Sequence, residues 1–260
     1  MRNHEIDYQL HGEEMQCVEV ELDPNEAVIA EPGSFMMMMD GIQMQTLFGD
    51  GNQTSFMSKL FSAGKRLLTG ENLFMTVYTN VSNEKRTVSF AAPYAGKIIP
   101  LDLSKLGEKI ICQKDSFLCA AKGVSVGIEF QKKLGTGLFG GEGFIMQKLE
   151  GDGMAFVHSG GHVIEKDLQP GQLLKVDTGC IVAFTSSVDY DIQFVGGIKN
   201  TLFGGEGMFY ATLRGPGKVW IQTLPISRLA SRILAYGTST RKEEGSILGG
   251  LGNLLDGDGI

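Results

Sequence analysis

Three glutamates carry the most suggestive chemistry in this 260-residue chain: Glu71, Glu142 and Glu206 each follow a glycine in the same local string. LFGGEG runs from Leu138 to Gly143 and recurs from Leu202 to Gly207, 64 residues later, and a weaker copy, LLTGEN, spans Leu67 to Asn72. A carboxylate repeated at one place in three units has two readings. Each one accepts hydrogen bonds from the tight turn its glycines make, or the three together line a shared axis or groove that takes a ligand. The residues favour the first. No Lys-Ser/Thr pair follows the glycines, and the run after each string is apolar and β-prone, so the phosphate-loop pattern fails.

His158 and His162 flank Ser159-Gly160-Gly161. On a helix that spacing would suit a metal pair, but the glycines predict a hairpin turn in which the two rings need not converge. Cys17, Cys112, Cys119 and Cys180 lack the short paired spacing of a zinc site, and each lies in an apolar stretch, so buried reduced thiols are expected. Asp167, Asp177, Asp189 and Asp191 fall at turns or strand edges, where aspartate commonly caps backbone amides. No nucleophile–base pair and no cofactor motif is legible, and the expectation is a protein without a cofactor or catalytic centre.

The elements that hold these residues are strands. After each Gly-Glu comes a β-prone run: Leu73–Tyr78, Phe144–Leu149 and Met208–Leu213. Upstream, Leu22-Asp23-Pro24 through Gly33-Ser34-Phe35 matches Leu168-Gln169-Pro170 through Gly179-Cys180-Ile181 without a gap, and Leu103 through Asp115-Ser116-Phe117 matches both with one extra residue. An ordered set of matches predicts one unit built three times, at about residues 15–80, 97–151 and 162–215, in one compact domain. Each unit is read as sandwich-like. Turn dipeptides (Asp152-Gly153, Gly160-Gly161, Pro170-Gly171, Gly196-Gly197) separate short β-branched runs such as Gln172–Val176 and Cys180–Phe184, as in all-β folds.

Two segments depart from that pattern. Ile226, Leu229, Ala230 and Ile233 keep the spacing of an amphipathic helix at 226–235, with Pro225 before it and Gly237 after it. Its stripe is expected to pack on the β body. The tail, 238–260, keeps helical spacing at Ile247, Leu248, Leu251, Leu254 and Leu255, but Gly249, Gly250 and Gly252 weaken it. It is expected to order against a partner surface or to fray. Met36-Met37-Met38-Met39 aligns with the strand at Cys180–Phe184, so two methionines should face the core and two outward, a soft surface suited to subunit packing.

Net charge −7 with scattered Lys and Arg argues against nucleic-acid binding and against adsorption to anionic lipid. No run approaches the roughly 20 apolar residues of a membrane helix, and the N-terminal residues lack a signal core, so a cytoplasmic protein without a membrane segment is expected.

Taken together, the triplicated unit, AEPGSFMMMMDGI at Ala30–Ile42, the LFGGEG strings, IQTLPISRLASRI at Ile221–Ile233 and GSILGGLGNLLDGDG at Gly245–Gly259 resemble the altered-inheritance-of-mitochondria protein 24 family. The resemblance spans essentially the whole chain. It implies three tandem units similar to the tryptophan RNA-binding attenuation protein, in pseudo-threefold arrangement, and a ring-like homotrimer of nine units. It implies a link to inner-membrane organisation in mitochondrial relatives, with no enzymatic activity, and it brings no catalytic or ligand residue to any position here. RNA and tryptophan binding are not expected of so acidic a chain. Edge strands left at the two ends of a repeat array also point to a cyclic homotrimer. Two functions follow: a non-enzymatic oligomeric scaffold that recruits protein partners through its tail, or a small-molecule or metal-binding protein or enzyme with a site between repeats.

Overall fold

In a computed structural model of the chain, residues 5–48, 74–132, 144–194 and 209–236 are described. In order, the strands are β1 (Asp7–His11), β2 (Cys17–Leu22), β3 (Ala27–Ala30), β4 (Phe35–Met38), β5 (Ile42–Phe48), β6 (Phe74–Asn80) and β7 (Arg86–Ala91). There follow β8 (Gly96–Asp102), β9 (Lys109–Gln113), β10 (Phe117–Ala121), β11 (Ser125–Lys132), β12 (Phe144–Glu150) and β13 (Met154–Gly160). The last six are β14 (Val163–Leu168), β15 (Leu173–Asp177), β16 (Ile181–Thr185), β17 (Asp189–Phe194), β18 (Phe209–Arg214) and β19 (Gly217–Gln222). One helix, α1, covers 226–236. The protein is mostly β, built from antiparallel sheets.

Period-two patterning makes these strands. Along β2, Val18, Val20 and Leu22 are buried while Cys17, Glu19 and Glu21 alternate outward, the signature of a sheet with one face on the core. Gly41 turns β4 into β5 at φ 90, a conformation in which a Cβ would be strained. Asn80, fully buried, closes the turn from β6 to β7: its amide donates to the carbonyls of Leu22 (2.8 Å) and Glu84 (2.7 Å), and its oxygen accepts from Ser82.

The strands pair in four sheets, ordered β1-β2-β7-β4, β5-β6-β3-β10-β13-β8, β11-β12-β9-β16-β19-β14 and β15-β18-β17. Two apolar clusters fill the spaces they enclose. The larger includes Phe90, Phe156, Leu101 and Leu118, and the second includes Phe144, Met146, Phe184 and Leu213.

Three sequence expectations are corrected. Ser159-Gly160-Gly161 is no hairpin, because β13 and β14 belong to different sheets and the glycines lie where the chain crosses between them. Met36–Met39 do not alternate between core and solvent: with Phe35, they are between 40% (Phe35) and 51% (Met36) exposed. Among the described residues β4 has a strand neighbour on one side, β7, and nothing on the other, so neither of its faces is sealed. Finally, α1 packs only its first turns. Ile226, Leu229 and Ala230 are half-buried, whereas Ile233 is exposed together with Leu234 and Tyr236. The tail, 238–260, lies outside the described residues.

Candidate functional site

Glu71, Glu142 and Glu206, with both LFGGEG strings and LLTGEN, lie outside the described residues. The two histidines are described, and they are kept apart in character. His158 sits on β13 with its ring sealed in the interior, edge-on to Tyr94 with ring centroids 4.5 Å apart, while His162 is exposed on the short link to β14. Among the described residues no group of three or more His, Cys, Asp or Glu is placed to hold a metal ion. None of the four cysteines is in a disulfide; Cys112 and Cys119 are buried, Cys17 and Cys180 partly so. Burial pushes the Cys112 and Cys119 thiols far above the ordinary range and makes them unreactive. Asp177 caps as its turn position implies, accepting from the Gly179 amide at 2.8 Å, and its other oxygen faces Arg228 of α1 at 3.4 Å.

A polar centre that the sequence reading missed lies where the turn after β3 meets the turn after β9. Glu31 directly follows β3, its amide donating to the Leu118 carbonyl (2.9 Å) and its own carbonyl accepting from the Ser34 hydroxyl (2.7 Å). Desolvation raises its carboxyl to about 7; Lys114 opposes this and Asp115 adds to it. The signal in the sequence was faint: one carboxylate between Ala30 and Pro32, at the end of an apolar run. His158 is perturbed the other way. Burial lowers it to about 4, the Tyr94 main chain offsets little of that, and neither ring nitrogen meets a partner at hydrogen-bond geometry.

These two groups give opposite pH slopes. Glu31 has a folded pKa above its unfolded value of 4.5, so it is neutral when folded at low pH and destabilises the fold progressively as pH rises from about 4.5 through about 7. His158 has a folded value below 6.5, so its contribution is complete above 6.5 and lost as pH falls toward about 4. Glu31→Gln is therefore expected to stabilise the protein at pH 8 relative to wild type by on the order of 2 kcal/mol, with little difference at pH 4.5. Urea melts of both proteins at the two pH values check it; an unchanged difference across that range would refute a buried, shifted Glu31.

The other feature with a visible use is the surface of β4. Phe35 stacks on buried Tyr78, with centroids 5.5 Å apart and 14° between ring planes, and Met36–Met39 continue the exposed apolar stretch. Met44 of β5, paired with Tyr78 across the β5–β6 ladder, is also exposed (54%). Exposed apolar surface of this kind occurs at protein, membrane and ligand contacts, and an unpaired strand edge can template another strand. At the other end of the array β15 also pairs on one side alone among the described residues, with β18, and its Leu173 is 47% exposed. No helix among the described residues is long and apolar enough to cross a membrane.

The class these features define is an antiparallel β protein whose sheets are joined along the chain and whose terminal sheets, among the described residues, end in strands paired on one side only. The family model for mitochondrial biogenesis AIM24 matches residues 8–224, and the chain belongs to that family. It is 30% identical over 223 residues, 84% of this chain and 86% of the relative, to an uncharacterized protein of Streptococcus pyogenes serotype M6. Its fold is similar to that of a Streptococcus pyogenes protein solved by X-ray crystallography in a structural genomics programme, at a TM-score of 0.70 and 23% identity, covering 89% of this chain and 99% of that one.

Proposed function

We propose that this protein is a non-enzymatic scaffold that assembles with itself as a cyclic homotrimer, each chain being three tandem copies of one six-strand unit. The observation that carries the reading is the exposure of Phe35–Met39, an apolar strand on an open sheet edge. Leaving such a strand in water costs hydrophobic burial and leaves a row of backbone groups that pair with another chain.

The strand order supports the repeat. In β2–β7, β8–β13 and β14–β19 alike, the first, sixth and third strands lie side by side, as do the fourth, fifth and second. Read so, each unit ends one strand beyond the repeat seen in the sequence, at β7, β13 and β19. A linear array of identical units has two dissimilar ends, and joining end to end closes a ring at the rotation the units already share. A ring of this kind presents several copies of one outer surface, which suits recruitment of partners more than chemistry at a single site.

Light scattering on the full-length protein at micromolar concentration tests the reading. The expected mass is that of three 28.1 kDa chains, about 84 kDa. A mass of 28.1 kDa would sink it.

A further inference from the structure

We propose that β4 of one copy adds to β15 of the next as an antiparallel pair, in a register that sets Met37 opposite the partner's Val176, Met38 opposite the partner's Lys175 and Met39 opposite the partner's Leu174. This rests on the self-assembly reading above and goes further, because it names the two strands, their direction and the residue pairs.

The chain already contains this seam twice. β10 pairs with β3 through Cys119↔Ala30, Ala120↔Ile29 and Ala121↔Val28, and β16 pairs with β9 through Ala183↔Cys112, Phe184↔Ile111 and Thr185↔Ile110. In the six-strand order each is a third strand meeting the second strand of the preceding unit. Among the described residues, the third strand without such a neighbour is β4, and the second strand without one is β15. Other strands end sheets too, but they do so in every unit: β5, β11 and β17 as fourth strands, and β8 and β14 as first strands, with β2 covered by β1. β4 and β15 are open where their counterparts are paired.

A shared irregularity fixes which residues correspond. The pairing slips between Phe117 and Cys119 on β10, between Ile181 and Ala183 on β16, and between Phe35 and Met37 on β4. Met37 therefore stands where Cys119 and Ala183 stand. On the other strand, Val176 takes the place of Ala30 and Cys112, which sets the register stated above.

Burial follows the pairing. Every residue of β10 and of β16 is buried, and so is every residue of β3; every residue of β4 is exposed, and β15 buries only Val176. All three third strands are apolar, FMMM, FLCAA and IVAFT, so what separates β4 is the missing neighbour and not its composition. A lysine on an edge strand commonly blocks pairing. Lys175 is not aimed that way: its ammonium lies over the Tyr210 ring, 5.1 Å from the centroid, on a face of the sheet.

The test joins Met38→Cys and Lys175→Cys in one full-length chain in which Cys17 and Cys180 are serine. Directly opposed antiparallel residues hold their Cα atoms about 4.5–5.5 Å apart, within reach of a disulfide. Mild oxidation is expected to abolish the 28.1 kDa band on non-reducing gels in favour of covalent multimers, while either single variant stays at 28.1 kDa. A control with Met38→Cys and Leu174→Cys, one residue out of register, is expected to link far less. Linking in the control but not in the first pair overturns the register. No linking in a protein that light scattering shows to be multimeric overturns the strand pairing and leaves assembly standing. A single-chain mass overturns both. Should the cysteine variants fail to fold, amide exchange on wild type decides: amides of β4 and β15 are expected to exchange slowly at high concentration and to lose that protection on dilution, and concentration-independent exchange overturns the pairing.

Discussion

Gly96→Ala is expected to cost the protein a large part of its stability, about 4 kcal/mol or more against the 5–15 kcal/mol of a typical domain. Gly96 opens β8 and stands opposite Gly160 in the β8–β13 ladder. A Cβ there would overlap the Ser159 carbonyl oxygen and come within 2.9 Å of His158 Nε2. Neither obstacle can yield. The carbonyl is main chain inside a paired strand, and the imidazole is sealed in the core against Tyr94. The same crowding falls on Gly160, where a Cβ would overlap the Leu224 carbonyl and press on Tyr94 at 2.7 Å. Two glycines that look like turn formers are thus present so that backbones can approach closely where the chain passes from one sheet to the next. Thermal unfolding followed by circular dichroism checks this. A melting temperature within a few degrees of wild type would show that the strand can shift to admit a methyl group.

What local pattern can specify was legible, and what a distant neighbour specifies was not. The β-prone run at Phe144–Leu149 became a strand at Phe144–Glu150, and the run at Cys180–Phe184 became a strand shifted by one residue, at Ile181–Thr185. Helical spacing from Ile226 gave α1. The failures share one cause. Gly160-Gly161 has the local chemistry of a hairpin, but β13 pairs with β8 and β10, 60 and 40 residues away in rough terms, and those partners outweigh the turn signal. The methionine run looked half-buried because successive residues of a strand face opposite ways, and no property of Met36–Met39 themselves reveals that β4 is paired on one side only among the described residues. Similarly, spacing made Ile233 part of a stripe without saying where the supporting surface stops. Glu31 was missed because a half-buried carboxylate looks like any other until the turn after β9 is folded against it. The repeated Gly-Glu loops, the sharpest signal in the sequence, lie outside the described residues and keep both of their readings.

Met37→Glu is expected to break the assembly into single chains of 28.1 kDa that remain folded. In one copy the side chain is 48% exposed, and a surface substitution of this kind changes stability by roughly half a kcal/mol or less. In the proposed seam the same position is dry. Its counterparts Cys119 and Ala183 are fully buried, and the partner's Val176 would face it with nothing to compensate a charge. Burying an unpaired carboxylate costs several kcal/mol, and each 1.4 kcal/mol is tenfold in affinity, so dissociation should strengthen by roughly a thousandfold or more. Met38→Glu supplies the contrast. The register sets that position opposite the partner's Lys175 on the same face of the sheet, where the flexible lysine can swing its ammonium from the Tyr210 ring to the new carboxylate. Met38→Glu should therefore weaken assembly much less than Met37→Glu, although the two residues are adjacent, equally apolar and almost equally exposed (41% and 48%). Light scattering across a dilution series, with circular dichroism to confirm folding, separates the cases. Equal dissociation by the two variants would mean that the strand meets a generic apolar surface, and no dissociation by either would place the contact between copies somewhere other than β4.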